Sequence, residues 1–225
     1  MTVVSNSSLM LKAWNSNQAV GQRKPFTLQE IQAIANHLES HCRLRDLALF
    51  MVGINTMLRC SNILALTVKQ VTDNRGAVVD RFSVVQIKTR KIVTVQMDTA
   101  TQLVLRRWIT TSNKGLDDYL FTGLTVNSKN QAISASHYRS LVKGWAAAIG
   151  LNPEYYSTHS LRRSRAALLY SELLDVELIR VLLGQSSIAA TSAYLGVSVN
   201  YALGVVEERP LFQELLPQLR SPHDV

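Results

Sequence analysis

His159 and Arg162 stand three residues apart, a spacing that puts both side chains on one face of a helix. Downstream, Tyr194 falls in a short segment, LGQSSIAATSAYLG, bounded by Gly184 and Gly196. A phenol is a nucleophile, an imidazole handles protons, and a guanidinium holds a fixed positive charge. Together they are the groups needed to attack a phosphodiester without a metal. Each alone has a plainer explanation. HxxR is common at a capped helix start, and a tyrosine on an amphipathic helix is most often packing. The basic stretch Lys88-Thr89-Arg90-Lys91 is by itself a solvated turn, and Arg59 an ion-pair partner after an apolar helix.

The elements that must hold these groups are mostly helical. Thr27 followed by Glu30 is a capping box that opens a helix over LQEIQAIANHLESH. A more apolar helix over Leu44 to Met57 is expected at the centre of the core, followed by the helical segment LRCSNILALTV with Ser61 placed to cap it. The pattern then changes. Val71 to Gln86 is rich in valine around the turn signal Asp73-Asn74-Arg75-Gly76, and FSVVQI and IVTVQM alternate as strands do. These predict a three-stranded antiparallel sheet with the basic turn at Lys88–Lys91. Helices resume at Thr99–Ile109, Ser134–Ile149, Thr158–Leu173, Val176–Leu183 behind the cap Asp175, Ser187–Leu195, and about 201–208 behind Asn200. The fold class is mainly α with one small antiparallel sheet. Residues 1–25, polar and rich in Ser and Asn, are expected as a flexible arm, 26–210 as the domain that carries the chemistry, and 211–225 as a tail.

The 225 residues are 47% apolar, enough for a proper core, and carry a formal net charge of +8. Residues 1–112 hold 14 Lys and Arg against 6 Asp and Glu, whereas 113–225 hold 10 against 10. A polyanion such as nucleic acid is the first candidate partner, attracted mainly by the first half. Cys42 and Cys60 form no CxxC pair and are expected as buried thiols in a reducing cytoplasm, with neither zinc nor disulfide. The longest apolar run, Leu47 to Ile54, is eight residues, far short of a membrane span.

Four motifs in order resemble the tyrosine recombinase (phage integrase) family, over roughly residues 26–210. Asn55-Thr56-Met57-Leu58-Arg59-Cys60-Ser61-Asn62-Ile63-Leu64-Ala65-Leu66 is similar to the family's TGLRxSExLxL. Lys88-Thr89-Arg90-Lys91-Ile92-Val93-Thr94-Val95-Gln96-Met97 is similar to KTxKxxxVPL, His159–Arg163 to the HxLRR/H box, and Leu182–Leu195 to LLGHSSIxxTxxYL. The tail YLGVSVNYALGVVEE looks most like short plasmid-type resolvases.

The resemblance implies a site-specific recombinase that breaks and rejoins DNA through a 3′-phosphotyrosine at Tyr194, with no metal, ATP or other cofactor. It implies Arg59 and Arg162 as clamps on the non-bridging oxygens, His159 as proton acceptor or phosphate donor, and Lys88 as general acid on the 5′-oxygen. Arg90, Lys91 and Arg163 would contact DNA. A free phenol has a pKa of about 10, so roughly one in a thousand is ionised at neutral pH and positive surroundings are required. The resemblance further implies double-stranded DNA bearing a specific recombination site and a tetramer on paired sites, joined through the helix after Tyr194.

Three departures stand out. Gln185 replaces the usual His or Trp and can donate a hydrogen bond but not shuttle a proton. Met57 and Asn62 stand where Gly and an acidic residue are common, and are expected to support Arg59. Only residues 1–25 precede the matching region, so the family's separate N-terminal DNA clamp is expected from an accessory protein, or the chain works with half a clamp. Two other readings compete: a non-cleaving DNA-binding relative, and a type IB topoisomerase-like enzyme that uses the same five roles.

Overall fold

The computed structural model describes residues 23–125 and 131–197. Most of the expected arm (1–25), the helix at 201–208 and the tail at 211–225 lie outside the described residues.

The first helix, α1 (Leu28–Ser40), starts where the capping box places it. Thr27 Oγ1 accepts from the Glu30 backbone at 3.1 Å and Glu30 Oε2 accepts from the Thr27 N–H at 2.8 Å. Just before it, Phe26 is sunk into the core. Its ring stacks on Tyr156 at 4.4 Å and its N–H donates to Ser164 Oγ at 2.7 Å. Helix α2 (Leu44–Thr56) is apolar on every side, from Leu47 through Phe50 to Ile54, so it can only be central. It packs against α1, α5 (Thr99–Thr111) and α7 (Thr158–Leu173).

Gly53 lets α2 come close to its neighbours. A Cβ there would fall 2.6 Å from the Tyr138 hydroxyl and 3.0 Å from Leu161 Cδ1. Tyr138 belongs to α6 (Ala135–Ala148) and Leu161 lies between His159 and Arg162 on α7. A side chain at 53 would therefore push α6 and α7, the latter bearing His159 and Arg162, away from the core. Ser134 and Asp175 cap α6 and α8 (Val176–Leu183) as expected, their side chains accepting from His137 and Leu178 N–H.

Short helices α3 (Cys60–Leu64) and α4 (Val68–Val71) follow α2, and α9 (Ile188–Leu195) ends the described part. Ser61 does not cap α3. Arg59 occupies the N-cap position with extended backbone, and its carbonyl accepts from Asn62 and Ile63. This leaves the Arg59 side chain free to face the site. Cys60 is half-buried, but Cys42 is exposed in the α1–α2 turn, where its φ is +54°, contrary to the expected burial.

Among the described residues the sheet has two strands, β1 (Arg81–Val85) and β2 (Ile92–Gln96), paired antiparallel from Arg81 with Gln96 to Val85 with Ile92. Phe82, Val84, Val93 and Val95 point inward and alternate with exposed residues. The expected third strand is reduced to a single bridge, Thr72 with Val78. Asp73 explains this. Its Oδ1 accepts from the Arg75 and Ala77 N–H groups at 2.8 and 2.9 Å, curling the valine-rich stretch into a tight turn. No helix of the described residues is long and apolar enough to cross a membrane.

Candidate active site

Arg162 is a firmly held buried cation. It is 4% exposed, and its two terminal nitrogens donate to backbone carbonyls, Nη1 to Met57 at 2.6 Å and Nη2 to Leu183 at 2.8 Å. Both carbonyls are helix ends with no partner of their own in the helix, at the close of α2 and of α8. The guanidinium thus ties three helices together and keeps further N–H groups for a ligand. Burial, and then Arg59, pull its pKa down to about 10 against the opposing pull of Tyr194, and it remains charged at neutral pH.

The Met57 carbonyl reaches Arg162 because Met57 adopts the left-handed conformation, φ +50°. The residue expected to support Arg59 supports Arg162 instead. Asn62 likewise braces the hairpin: its Nδ2 donates to the Val85 carbonyl at 3.3 Å. Arg59 is half-buried, and its Nη1 donates to the side-chain oxygen of Gln86.

His159 lies in the first turn of α7 with its ring open to solvent on one side. Crowding by protein lowers its pKa first, followed by the positive charges of Arg162, Arg59, Arg163 and Lys88. A neutral imidazole at neutral pH follows, suited to accept a proton.

Tyr194, near the end of α9, is half-buried overall, but its hydroxyl oxygen is sealed from solvent. Among the described residues that oxygen makes no hydrogen bond of good geometry; Arg162 acts on it at close range without full alignment. Burial raises the phenol pKa to about 12, while Arg162, Arg163 and Arg59 pull it back down. Arg163 was expected at the DNA. It is 5% exposed, and its guanidinium lies over the Tyr194 ring at 5.3 Å, a place from which it holds the tyrosine.

Gln185 is half-buried beside them. The buried Thr191 hydroxyl reaches its Oε1 at 2.6 Å, and Arg180 Nη1 reaches its carbonyl at 2.7 Å. With Thr191 on Oε1, the Nε2 donors of the amide face away from α9. Lys88, Arg90 and Lys91 are all exposed on the hairpin turn, Lys88 near enough to His159 to be felt electrostatically. The structure thus gathers Arg59, His159, Arg162, Arg163 and Tyr194 in one cluster, with Lys88 at its rim.

Residues 24–200 match the sequence model of the phage integrase family. The chain belongs to the phage integrase family. The probable integrase/recombinase YoeC of Bacillus subtilis is 30% identical over 76% of this chain and 87% of its own length. Tyrosine recombinase XerC of Caldanaerobacter subterraneus is 25% identical over 84% of this chain and 52% of its own. The chain therefore spans about half the length of that Xer relative. The fold matches that of XerH recombinase bound to palindromic difH substrate in a post-cleavage complex, with a TM-score of 0.66 and 21% identity over 87% of this chain and 56% of that one.

Three participants escaped sequence reasoning in this family member. Gln86 is 1% exposed and fixes Arg59, yet a glutamine at a strand end carries no signal of that role. The Met57 and Leu183 carbonyls are invisible in a sequence, although the helix-stop pattern Leu183-Gly184 marks one of them. Gly184 itself has φ +60°, and a Cβ there would fall 2.4 Å from Val93 Cγ2 and 2.7 Å from Gln86 Nε2. Only glycine lets the end of α8 press against the hairpin.

Proposed function

We propose that this chain breaks and rejoins double-stranded DNA at a specific site through a covalent 3′-phosphotyrosine at Tyr194. One observation carries the reading: a tyrosine hydroxyl, sealed from water, faces guanidinium groups from two separate elements, with an imidazole of lowered pKa in the same cluster.

In this reaction Tyr194 Oη attacks phosphorus while its proton passes to the His159 ring. The Oη–P bond forms, the P–O5′ bond breaks, and the 5′-oxygen takes a proton from the Lys88 ammonium. Bond energy is kept in the phosphotyrosine, so a 5′-hydroxyl of another strand can reverse the step and exchange strands. Arg59 and Arg162 bind the non-bridging oxygens, and Gln185 donates from Nε2. Each such donor, fixed before the reaction, contributes about 3 kcal/mol to lowering the barrier. Burial holds the phenol protonated until DNA arrives, and the arginines then favour the phenolate.

Arg163 orients the ring from its place over the face, and Arg90 and Lys91 meet flanking phosphates as position-setting contacts. From the family reading we expect paired sites held by four protomers. XerH with its difH substrate is the precedent for a DNA-bound form of this fold.

The test is capture. The protein is incubated with nicked suicide duplexes of randomised core, together with duplexes drawn from DNA flanking its gene, and SDS-stable adducts are sequenced. Adducts on a defined sequence, absent from Tyr194→Phe, are expected. No adduct from the wild type, or an adduct that survives Tyr194→Phe, would overturn the mechanism. Relaxation of supercoils without paired sites would point to a topoisomerase.

A further inference from the structure

One buried amide joins the arginine cluster to the turn that bears Lys88. Gln86 directly follows β1 and is 1% exposed. Its Oε1 accepts from Arg59 Nη1 and, at 2.9 Å, from the hydroxyl of Thr89, the residue next to Lys88. Its Nε2 donates at 3.3 Å to the Leu183 carbonyl, the same oxygen that takes Arg162 Nη2. Its backbone closes the turn as well: Gln86 N–H donates to the Lys91 carbonyl at 2.8 Å, and Arg90 N–H donates to the Gln86 carbonyl at 2.8 Å.

We infer that Gln86 is a positioning residue for the reaction, setting Arg59 and the Lys88 turn at a fixed mutual distance on the carbonyl that also holds Arg162. The inference rests on the reading of Tyr194 as nucleophile and Lys88 as general acid.

The chemistry calls for a neutral amide at this position. Its oxygen has two lone pairs, and both are used, one on the clamp and one on the turn. A carboxylate could accept the same two bonds but would neutralise Arg59 and set an oxygen against the Leu183 carbonyl. An apolar side chain of equal size would leave Arg59 and Thr89 without their common acceptor. The seat is tight, since a Cβ on Gly184 would come within 2.7 Å of Nε2, so the amide has little room to turn. A purely structural glutamine would affect folding and DNA affinity, but it would not care which atom leaves phosphorus.

The experiment therefore varies the leaving group. Adduct formation is timed on the captured duplex and on the same duplex with sulfur in place of the bridging 5′-oxygen. A thiolate departs without a proton and so bypasses Lys88. Thr89→Val removes only the bond to the turn; it should slow the oxygen substrate about 10-fold and leave the sulfur substrate at the wild-type rate. Gln86→Met removes both bonds to Oε1 and the Nε2 bond to Leu183; it should slow the oxygen substrate about 100-fold, with sulfur restoring only the share seen in Thr89→Val.

Equal losses on both substrates for both variants, or Gln86→Met within about 3-fold of wild type, overturn the inference. Should Gln86→Met fail to fold, Thr89→Val decides: a loss rescued by sulfur supports the coupling, and no loss or an unrescued loss refutes it. If the wild type forms no adduct on either duplex, it is the Tyr194 reading that has failed, and this inference falls with it.

Discussion

The arginine wall of the cluster puts positive charge beside Tyr194 and the hairpin turn puts it near His159, and they do so in opposite ways. Arg162 is 4% exposed and gripped by two backbone carbonyls, whereas Lys88 is exposed on a turn. A group that stabilises charge by standing still gains from burial, where its field is least screened. A group proposed to give up a proton and take it back, as Lys88 is, gains from water and motion. The contrast separates two kinds of cation in one site: those that cost folding energy to hold, and those that cost almost none.

Arg162→Lys tests the first kind and should have the largest effect. An ammonium is compact and cannot span the Met57 and Leu183 carbonyls as the planar fork does. Adduct formation should fall about 100- to 1000-fold through loss of a fixed donor. Thermal unfolding should show a loss of about 1–3 kcal/mol, because a buried carbonyl loses its partner. A variant that is inactive yet fully stable would mean that the carbonyl grip does not matter to the fold.

Lys88→Ala tests the second kind. The rate on the oxygen substrate should fall by about 100-fold or more, the usual worth of a general acid. Stability should change by less than about 0.5 kcal/mol, as expected of an exposed side chain. A duplex with a sulfur leaving group should restore the rate. If stability fell as in Arg162→Lys, the division between wall and turn would collapse.

Much of this arrangement could be read before the fold was known, and two of the three exceptions share a cause. Thr27, Ser134 and Asp175 cap the helices that their types announce, because capping is settled within three or four residues. The order of Arg59, Lys88, His159, Arg162 and Tyr194 was likewise visible, and the family match bears out the resemblance built on it. The third strand misled because Val78 and Val79 have strand propensity, while the side chain of Asp73 decides the local path. Arg163 was expected at the DNA on the strength of the family resemblance; packing against a residue 31 positions later puts it inside. Gln86 was illegible for the same reason, since its partners Arg59 and Leu183 are 27 and 97 positions away. Local rules carry local facts, and roles defined by distant contacts need the fold.

Met57 gives the smallest effect and the sharpest sign. Its φ of +50° belongs to glycine, yet its side chain is 6% exposed, so packing offsets a backbone conformation that costs about 1–2 kcal/mol for an L-residue. Met57→Ala loses the packing and keeps the strain. Met57→Gly loses the same packing and sheds the strain. In an ordinary helix alanine is more stable than glycine by about 1 kcal/mol. At position 57 the order should invert by about 1 kcal/mol in thermal or urea unfolding. Both variants should stay below the wild type, and both keep the carbonyl that Arg162 needs, so their cleavage rates should remain close to each other. If alanine were the more stable of the two, the left-handed turn would not be what aims that carbonyl, and the wall would owe its rigidity to Leu183 alone.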